Sequence, residues 1–326
     1  MTGNVRRAAV GKIDAICTSK EKGVRKTPVD RARFVAGQGV EGDAHCGRWH
    51  RQVSLLGAEH IDTVRRGGLP DVSYGDFAEN LVVSGISLAS LGLGSRLKLG
   101  SEVELRITQI GKVCHMPCRI HQLTGDCIMP SRGLFARVES GGNVSVGDSV
   151  EVTQTVPREY FQVVVLTISD RCSRGQASDK TGPAIAKNIE DSLDAHVYVL
   201  EILPDDITEL TDRLRHYSGG HSIDLILTAG GTGFSARDHT PEATRVVVER
   251  LTPGLDEAMR ALSLKKTPHA ILSRSCSGIR GSTLMVNLPG SERAAMENLD
   301  AIMAALPHGL RILRGEETDC GRSPGK

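Results

Sequence analysis

The stretch Ile223–Thr244, IDLILTAGGTGFSARDHTPEAT, decides how the second half of the chain is read. Its first residues are apolar without alternation, the pattern of a strand buried on both faces of a parallel sheet. The strand is expected to end at Thr228 and run into Gly230, Gly231, Thr232 and Gly233. In open α/β sheets ligands bind beyond the carboxyl ends of the strands, where such a loop must lie. Glycines let the backbone approach a ligand and turn several N–H groups toward an anion. Thr228 and Thr232 would add hydroxyl donors. Asp238 follows, and Thr240-Pro241-Glu242 reads as an N-cap, a proline at the first helical position and an acidic first turn. That places a helix N-terminus, a second favourable site for phosphate, beside the loop. Asp238 alone would repel phosphate, so it reads as a carboxylate that handles Mg²⁺ through phosphate oxygens. The plain alternative is a tight turn followed by a helix cap. The segment contains neither GxxxxGK[ST] nor GxGxxG.

Outward from this stretch the same rhythm repeats. FQVVVLTIS (161–169) is a buried strand, followed by a helix over Pro183–Leu193. HVYVLEIL (196–203) leads to a helix over Ile207–Tyr217. Helices over Pro241–Arg250, Gly254–Leu264 and Glu292–Ala305, with the strand TLMVNL (283–288), complete the pattern. Strand–helix alternation predicts an α/β three-layer arrangement with a mostly parallel sheet over residues 161–315. The tail, 316–326, has no apolar residue besides Cys320 and is expected to be disordered.

Residues 1–153 read differently. Leu97 and Leu99, then Val103, Leu105 and Ile107, alternate as half-buried strands do. Gly141-Gly142 and Gly147-Asp148 are turn signals at hairpin spacing, and only Ala58–Arg66 reads as a helix. This half is expected to be a mainly β barrel or sandwich, a barrel on the resemblance given below, joined to the next domain by a polar, proline-containing linker at 154–160.

Composition narrows the function. At 326 residues the chain is long enough for about two domains. Forty basic against 39 acidic residues leave a net charge of +1, and with four Tyr, five Phe and one Trp there is neither a basic footprint nor a stacking surface for nucleic acid. No apolar run reaches the ~20 residues of a membrane span. The N-terminus lacks the apolar core of a secretory signal. Eight cysteines in a chain this long are expected to be free thiols in a reducing cytoplasm.

Four blocks carry a resemblance: TISDRCSRGQASDKTGP, ILPDD, LTAGGTGFSARDHTPEAT and AILSRSCSGIRGSTLMVNLPGS. Together, and in this order, they resemble the molybdopterin adenylyltransferase family of the MogA type over Phe161–Gly315. The resemblance implies molybdopterin and Mg-ATP as substrates, a homotrimer, and other proteins of molybdenum cofactor biosynthesis as partners. By position it puts the two catalytic aspartates at Asp205 and Asp238 and a phosphate loop at Gly230–Gly233. Ser169 and Asp170 would form a second wall, and Ser273, Arg274, Ser277 and Gly278 part of a pterin or nucleotide cradle. Asn287, Pro289, Gly290 and Ser291 would close the site. Structural alternatives stand beside these roles: Asp205 or Asp206 as a cap for the helix at Ile207, Ser169-Asp170 as a turn, Arg274 as a surface ion pair, and His239 as an exposed loop residue.

In the first half, GVEGDAHCG, RQVSLL, FAENLVVSGISLASLGLGSRLKLG and GLFARVESGGNVSVGDSVEV resemble a MOSC domain over about Val5–Val152. The resemblance implies binding of the molybdenum cofactor or handling of its sulfur, with Cys118 after Pro117 at the family's cysteine position. His45 either contacts the same ligand or caps a turn. Cys114, His115, Cys118, His121 and Cys127 form a weak zinc-like pattern without a second clean pair, and Lys112, Arg119, Arg132 and Arg137 could supply an electropositive setting for a thiolate. Two rival functions remain open: a non-catalytic cofactor carrier, and a sulfurtransferase acting through Cys118.

Overall fold

The computed structural model describes residues 10–111, 128–219 and 222–316. The chain divides into two compact units, Met1–Glu159 and Tyr160–Lys326.

The first unit is built of β1 (Val10–Thr18), β2 (Thr27–Val29), β3 (Arg31–Val35), β4 (Gly39–Val40), β5 (Val53–Gly57), α1 (Ala58–Arg66), β6 (Leu81–Ser84), β7 (Arg96–Leu99), β8 (Val103–Ile110), α2 (Met129–Arg132), β9 (Leu134–Ser140), β10 (Gly142–Ser145) and β11 (Ser149–Gln154). Strands β11-β7-β8-β9-β5-β6-β1 lie side by side, and β1 pairs back onto β11, closing a seven-strand barrel. Closure removes the free edges that an open sheet would expose. All its pairings are antiparallel except β5 with β6, whose connection runs through α1. The expected alternation holds: Leu97, Leu99, Val103, Leu105 and Ile107 are fully buried. Each such side chain contributes about 1.5–3 kcal/mol relative to exposure. A second cluster, Ala15, Cys17, Leu56, Val82 and Phe135, packs against Ile61 of α1 and Met129.

The stretch expected to link the domains is bonded into this unit. The Gly92 N–H donates to the Val156 carbonyl at 2.7 Å, Val156 N–H donates to Ser95 Oγ, and Leu91 bridges Pro157. Val156 is an apolar residue that the barrel buries, which polar neighbours in the sequence concealed.

The second unit contains β12 (Phe161–Ile168), α3 (Asp170–Ser173), α4 (Thr181–Ser192), β13 (Ala195–Leu203), α5 (Ile207–Ser218), β14 (Leu225–Ala229), α6 (Thr240–Val247), β15 (Arg250–Leu251), α7 (Pro253–Leu264), β16 (Ser277–Arg280), β17 (Thr283–Leu288), α8 (Glu292–Met303) and α9 (Leu306–Arg314). Its sheet order is β13-β12-β14-β17-β16-β15; the first four strands are parallel, and β16 and β15 are antiparallel. Val163, Val165, Leu225, Leu227, Leu284 and Val286 pack on Ile185 and Ile189 of α4, Leu299 and Ile302 of α8, and Leu306 and Leu310 of α9. The alternate residues Val164, Leu166, Ile226 and Met285 are equally buried. Helix α6 packs on β16 and β17 and against α5.

Two elements depart from the expected pattern. The helix expected over Pro241–Arg250 stops at Val247, because Glu249 N–H is taken by the Ile279 carbonyl and Arg250–Leu251 pair with β16. Three consecutive β-branched valines, 246–248, make that exit cheap. The last expected helix ends at Met303, and a separate helix, α9, follows.

Helix α9 is tied down by one ion pair. Arg314 donates through Nε and Nη2 to the two oxygens of Asp224, both at 2.7 Å, and through Nη2 to the Tyr160 carbonyl at 2.8 Å. Asp224 in turn accepts from Gln162 N–H, so the pair fixes the start of β12 and β14 together. Removing one partner of such a pair strands a desolvated charge. Arg314→Ala should therefore lose roughly 3 kcal/mol, read as a lower urea midpoint for the full chain.

The first unit contains a carboxyl with the opposite problem. Glu79 is fully buried; its Oε1 accepts from Gly75 N–H at 2.6 Å, and its Oε2 has no partner among the described residues. Burial pushes its carboxyl up to about 7 from an ordinary 4.5. The folded state thus prefers the neutral form. The stability this gives is complete below 4.5 and lost as pH rises through about 7. The loss is on the order of 3 kcal/mol. Glu79→Gln should raise the melting temperature followed by Trp49 emission at about pH 8 and leave it unchanged near pH 4.

Candidate active site

The four parallel strands of the second unit end at the same edge of the sheet, and each delivers a segment of interest. Ser169 and Asp170 follow β12, Pro204–Asp206 follow β13, Gly230–Gly233 follow β14, and Pro289–Ser291 follow β17.

The glycine loop is where side chains cannot fit. Gly230 has φ of +116°, and a Cβ there would lie 2.3 Å from the Ile168 carbonyl oxygen. Gly231 has φ of +61°, and its Cβ would meet Thr240 Oγ1 at 2.4 Å. Both conditions select glycine. Gly230 N–H is held by the Leu288 carbonyl, and Thr240 N–H by the Gly231 carbonyl.

Arg274 fixes the loop's outer half. Its backbone N–H donates to the Thr232 carbonyl, its Nε to the Gly233 carbonyl at 2.7 Å, and its Nη2 to the Asp238 carbonyl. Its Nη1 pairs with Glu242 of α6 at 2.5 Å. The guanidinium thus makes the expected ion pair and also holds the loop through two carbonyls. Asp238 is held in its own turn: its N–H donates to the Ser235 carbonyl, and its Oδ2 accepts from Ser235 N–H at 2.9 Å.

Across the loop stands Asp205. Its Oδ2 accepts from Asp170 N–H at 3.0 Å, and Asp170 Oδ1 accepts from Asp205 N–H at 3.2 Å, a reciprocal clasp between two strand ends. Asp206 accepts from Thr208 and Glu209 N–H and caps α5, leaving Asp205 free of that task. Burial, and then the nearby charge of Asp238, raises the Asp205 carboxyl above its ordinary value, while His239 opposes the shift. The two carboxylates therefore sense each other. Arg237 reaches Asp170, and Arg174 lies 3.7 Å from the same carboxylate.

Not every expected residue belongs to this edge. Thr228 is fully buried, and its hydroxyl accepts from Asn287 Nδ2 at 3.0 Å; Asn287 also donates to Thr244 and accepts from Cys276 N–H. Both lie inside the sheet, bracing the loop from beneath. Ser277 donates to the Thr252 carbonyl and Gly278 packs under Val248, so these two serve the antiparallel edge. Ser273 bonds Ser275 within its loop. Gly290 lies against Gly230, with its carbonyl held by Thr181 Oγ1, and Ser291 caps α8. Thr240 is not an N-cap: α6 begins at Thr240, with His239 at the cap, and the buried Thr240 hydroxyl has no hydrogen-bond partner among the described residues.

Sequence reasoning missed Arg237, Glu242 and Asp179. Asp179 accepts from Thr181 and Gly182 N–H and from Thr167 Oγ1, anchoring the start of α4. An aspartate just before Thr-Gly-Pro is a readable helix-start signal. The other two are set by tertiary contacts alone.

Comparison with known proteins agrees with this division. The family model described as a probable molybdopterin binding domain matches residues 164–308, and the MOSC domain model matches 42–151. The molybdopterin adenylyltransferase of Helicobacter pylori strain J99 is 39% identical over 158 residues, covering 48% of this chain and 90% of that protein. The chain belongs to the molybdopterin adenylyltransferase family. The Escherichia coli K12 member is 35% identical over 169 residues, covering 48% of this chain and 86% of that protein. Gephyrin of Dictyostelium discoideum is 40% identical over 168 residues, 48% of this chain, and cinnamon of Drosophila melanogaster is 40% identical over 149 residues. The chain spans about a quarter of the length of these last two, 23% and 25%. Among solved structures, the MoaB enzyme of Thermus thermophilus is 44% identical, covering 48% of this chain and 97% of that one, with a TM-score of 0.46.

In the MOSC half, Cys114, His115, Cys118, His121 and Cys127 lie outside the described residues, as does the tail from 317. His45 is described. Its N–H donates to Asp43 Oδ1 at 2.9 Å, so Asp43 makes the turn; the His45 ring places Nδ1 3.3 Å from the same oxygen and stacks on Trp49. Asp43 also takes Lys26, Asn80 Nδ2 and Ser19 N–H. Burial alone would raise its carboxyl, but His45 and Lys26 hold it well below the usual range. Burial pushes the Cys17 thiol up to about 12, which leaves it inert.

The Asp205 carboxyl should titrate above ordinary aspartates in a ¹³C carboxyl NMR titration of the full chain. In Asp238→Asn its midpoint should fall, since removing a neighbouring negative charge favours ionisation.

Proposed function

We propose that the second unit transfers an adenylyl group from ATP to molybdopterin, with Asp205 and Asp238 as its catalytic carboxylates. The observation that carries this reading is the placement of the Asp205 and Asp238 carboxylates against the Gly230–Gly233 loop, whose backbone would supply the phosphate donors. Phosphates need the donors, and the carboxylates need a cation.

The residues fit magnesium in one particular way. Among the described residues, no three His, Cys, Asp or Glu side chains are grouped to hold a metal by themselves. An ion held by Asp238, with Asp205 nearby, would draw its other ligands from substrate phosphates and water, the usual habit of Mg²⁺. Bound there, it would neutralise charge on the phosphates.

The terminal phosphate of molybdopterin, already anionic, attacks the α-phosphorus of ATP. A new P–O–P bond forms as the bond to the β-phosphate breaks, and pyrophosphate leaves with the electron pair. No strong general base is required. The chain's task is alignment and charge placement. The loop N–H groups hold phosphate, Ser169, Asp170, Thr232 and Thr240 line its approaches, and Arg274 with Glu242 keeps the loop in shape. Ser273, Pro289, Gly290 and Ser291 border the site.

The remaining assignments belong to the same reading: helices covering both faces of the sheet as three layers, domains at 1–153 and 161–315, a homotrimer, a cytoplasmic setting and other cofactor-biosynthesis proteins as partners. None of the helices is long and apolar enough to cross a membrane among the described residues. The MOSC half would bind the molybdenum cofactor, with His45 and Cys118 as its candidates.

Purified full-length protein given molybdopterin and Mg-ATP should release pyrophosphate and yield adenylylated pterin by mass. Asp238→Ala should lower turnover by at least ~100-fold while retaining bound pterin. Tight pterin binding without turnover in the wild type would instead leave a cofactor carrier.

A further inference from the structure

Around the glycine loop the acids Asp170, Asp205 and Asp238 stand with the arginines Arg174, Arg237 and Arg274. Asp205 Oδ1 lies 3.5 Å from where a Cβ on Gly231 would be, and Asp205 is clasped to Asp170. Arg237, in the turn that carries Asp238, reaches back to Asp170 through Nη2. Loop, Asp205, Asp170 and Arg237 thus close a circuit at the strand ends.

The two loop arginines are bound very differently. Every nitrogen of the Arg274 guanidinium is engaged, by two carbonyls and by Glu242. The Arg237 guanidinium has one partner among the described residues, the Asp170 carboxylate. No hydrogen bond reaches Asp170 Oδ2 there, so Arg237 holds it by charge alone. The Asp170 side chain is 11% exposed and that of Arg237 60%, which makes the arginine the partner with room to leave. A pair so exposed contributes little to stability. Asp170 would keep other contacts, since its Oδ1 accepts from Asp205 N–H and lies 3.7 Å from Arg174 Nη2.

We propose that Arg237 is a catalytic residue: it leaves Asp170 when phosphates occupy the glycine loop and binds a non-bridging oxygen of the phosphate being transferred. This role rests on the adenylyl-transfer reading of the site and gives it a cation from the protein itself. Attack on the α-phosphorus gathers negative charge on those oxygens, and a guanidinium meets them with a planar fork of donors. The contact strengthens as the charge develops, which is the condition for lowering the barrier.

Two substitutions separate this role from that of a brace. A brace that merely held Asp170, and through it Asp205, would suffer alike from Arg237→Gln and Asp170→Asn. An arginine shared between Asp170 and phosphate makes the two act in opposite directions on binding. Full-length wild type and variants would be titrated by calorimetry with magnesium and α,β-methylene-ATP, which cannot be cleaved at the reacting bond. Arg237→Gln should weaken binding roughly tenfold. Asp170→Asn should tighten it, by about threefold more in wild type than in the Arg237→Gln background. In the adenylyl-transfer assay Arg237→Gln should lower kcat about 100-fold with the pterin KM unchanged. Arg237→Lys, which keeps charge without the fork, should fall between. Unchanged melting temperatures show that the variants fold. Equal gains from Asp170→Asn in both backgrounds would mean only a general loss of negative charge and would overturn the exchange. Parallel losses in Arg237→Gln and Asp170→Asn, or wild-type turnover in a folded Arg237→Gln, would overturn it too. Opposite effects on binding in a wild type that does not turn over would uphold the exchange and remove adenylyl transfer instead. No binding of the analogue to wild type would sink both.

Discussion

The loop that defines the second unit is held by one side chain. Arg274 donates to the Gly233 and Asp238 carbonyls, pairs with Glu242, and through its backbone N–H takes the Thr232 carbonyl as well. Three loop residues and the first turn of α6 are thereby referred to a single arginine. The positive φ values at Gly230 and Gly231 make the loop possible, but glycines specify nothing by themselves. A charge-assisted fork with fixed angles does specify. Beneath it, Asn287 binds Thr228, Thr244 and Cys276 N–H, so the loop is gripped from above and below by side chains that need not touch substrate.

This explains how two carboxylates can stand close without a partner cation of their own. Asp205 is clasped to Asp170 by reciprocal bonds from each backbone N–H to the other's carboxylate, and Asp238 is locked in the Ser235 turn. Each carboxylate is thus held by an N–H of a neighbouring segment. Burial, and after it the charge of Asp238, appears as a raised Asp205 carboxyl and not as a displaced loop. On the proposed reading, a site organised in this way is preorganised for a cation that arrives with its own anionic ligands.

The parallel strands and the glycine loop were legible because each leaves a local mark, an unalternated apolar run and a glycine cluster; Asp205 was reached only through the family resemblance. Asp206 as the cap of α5 was legible for the same reason. What the sequence concealed was direction. Thr228 and Asn287 carry polar groups suited to a ligand, yet their strand positions turn them into the sheet, and only pairing register decides that. Arg274 read as an ion pair or a ligand contact because its side-chain acceptors are carbonyls far away in the sequence, to which no motif points. Val156 and the short strand Arg250–Leu251 were hidden by a different cause, partners supplied by remote segments that outweigh local propensity.

The two units leave different charges uncompensated. At the glycine loop, acids and backbone N–H groups share one edge, so on the proposed reading phosphate binding requires a divalent ion to reconcile them. In the barrel unit, Asp43 is neutralised internally by Lys26, and Arg51, without a carboxylate partner among the described residues, is left between two rings. On the proposed reading, chelation of magnesium would silence the site at the glycine loop. The difference follows from which charge each fold leaves uncompensated.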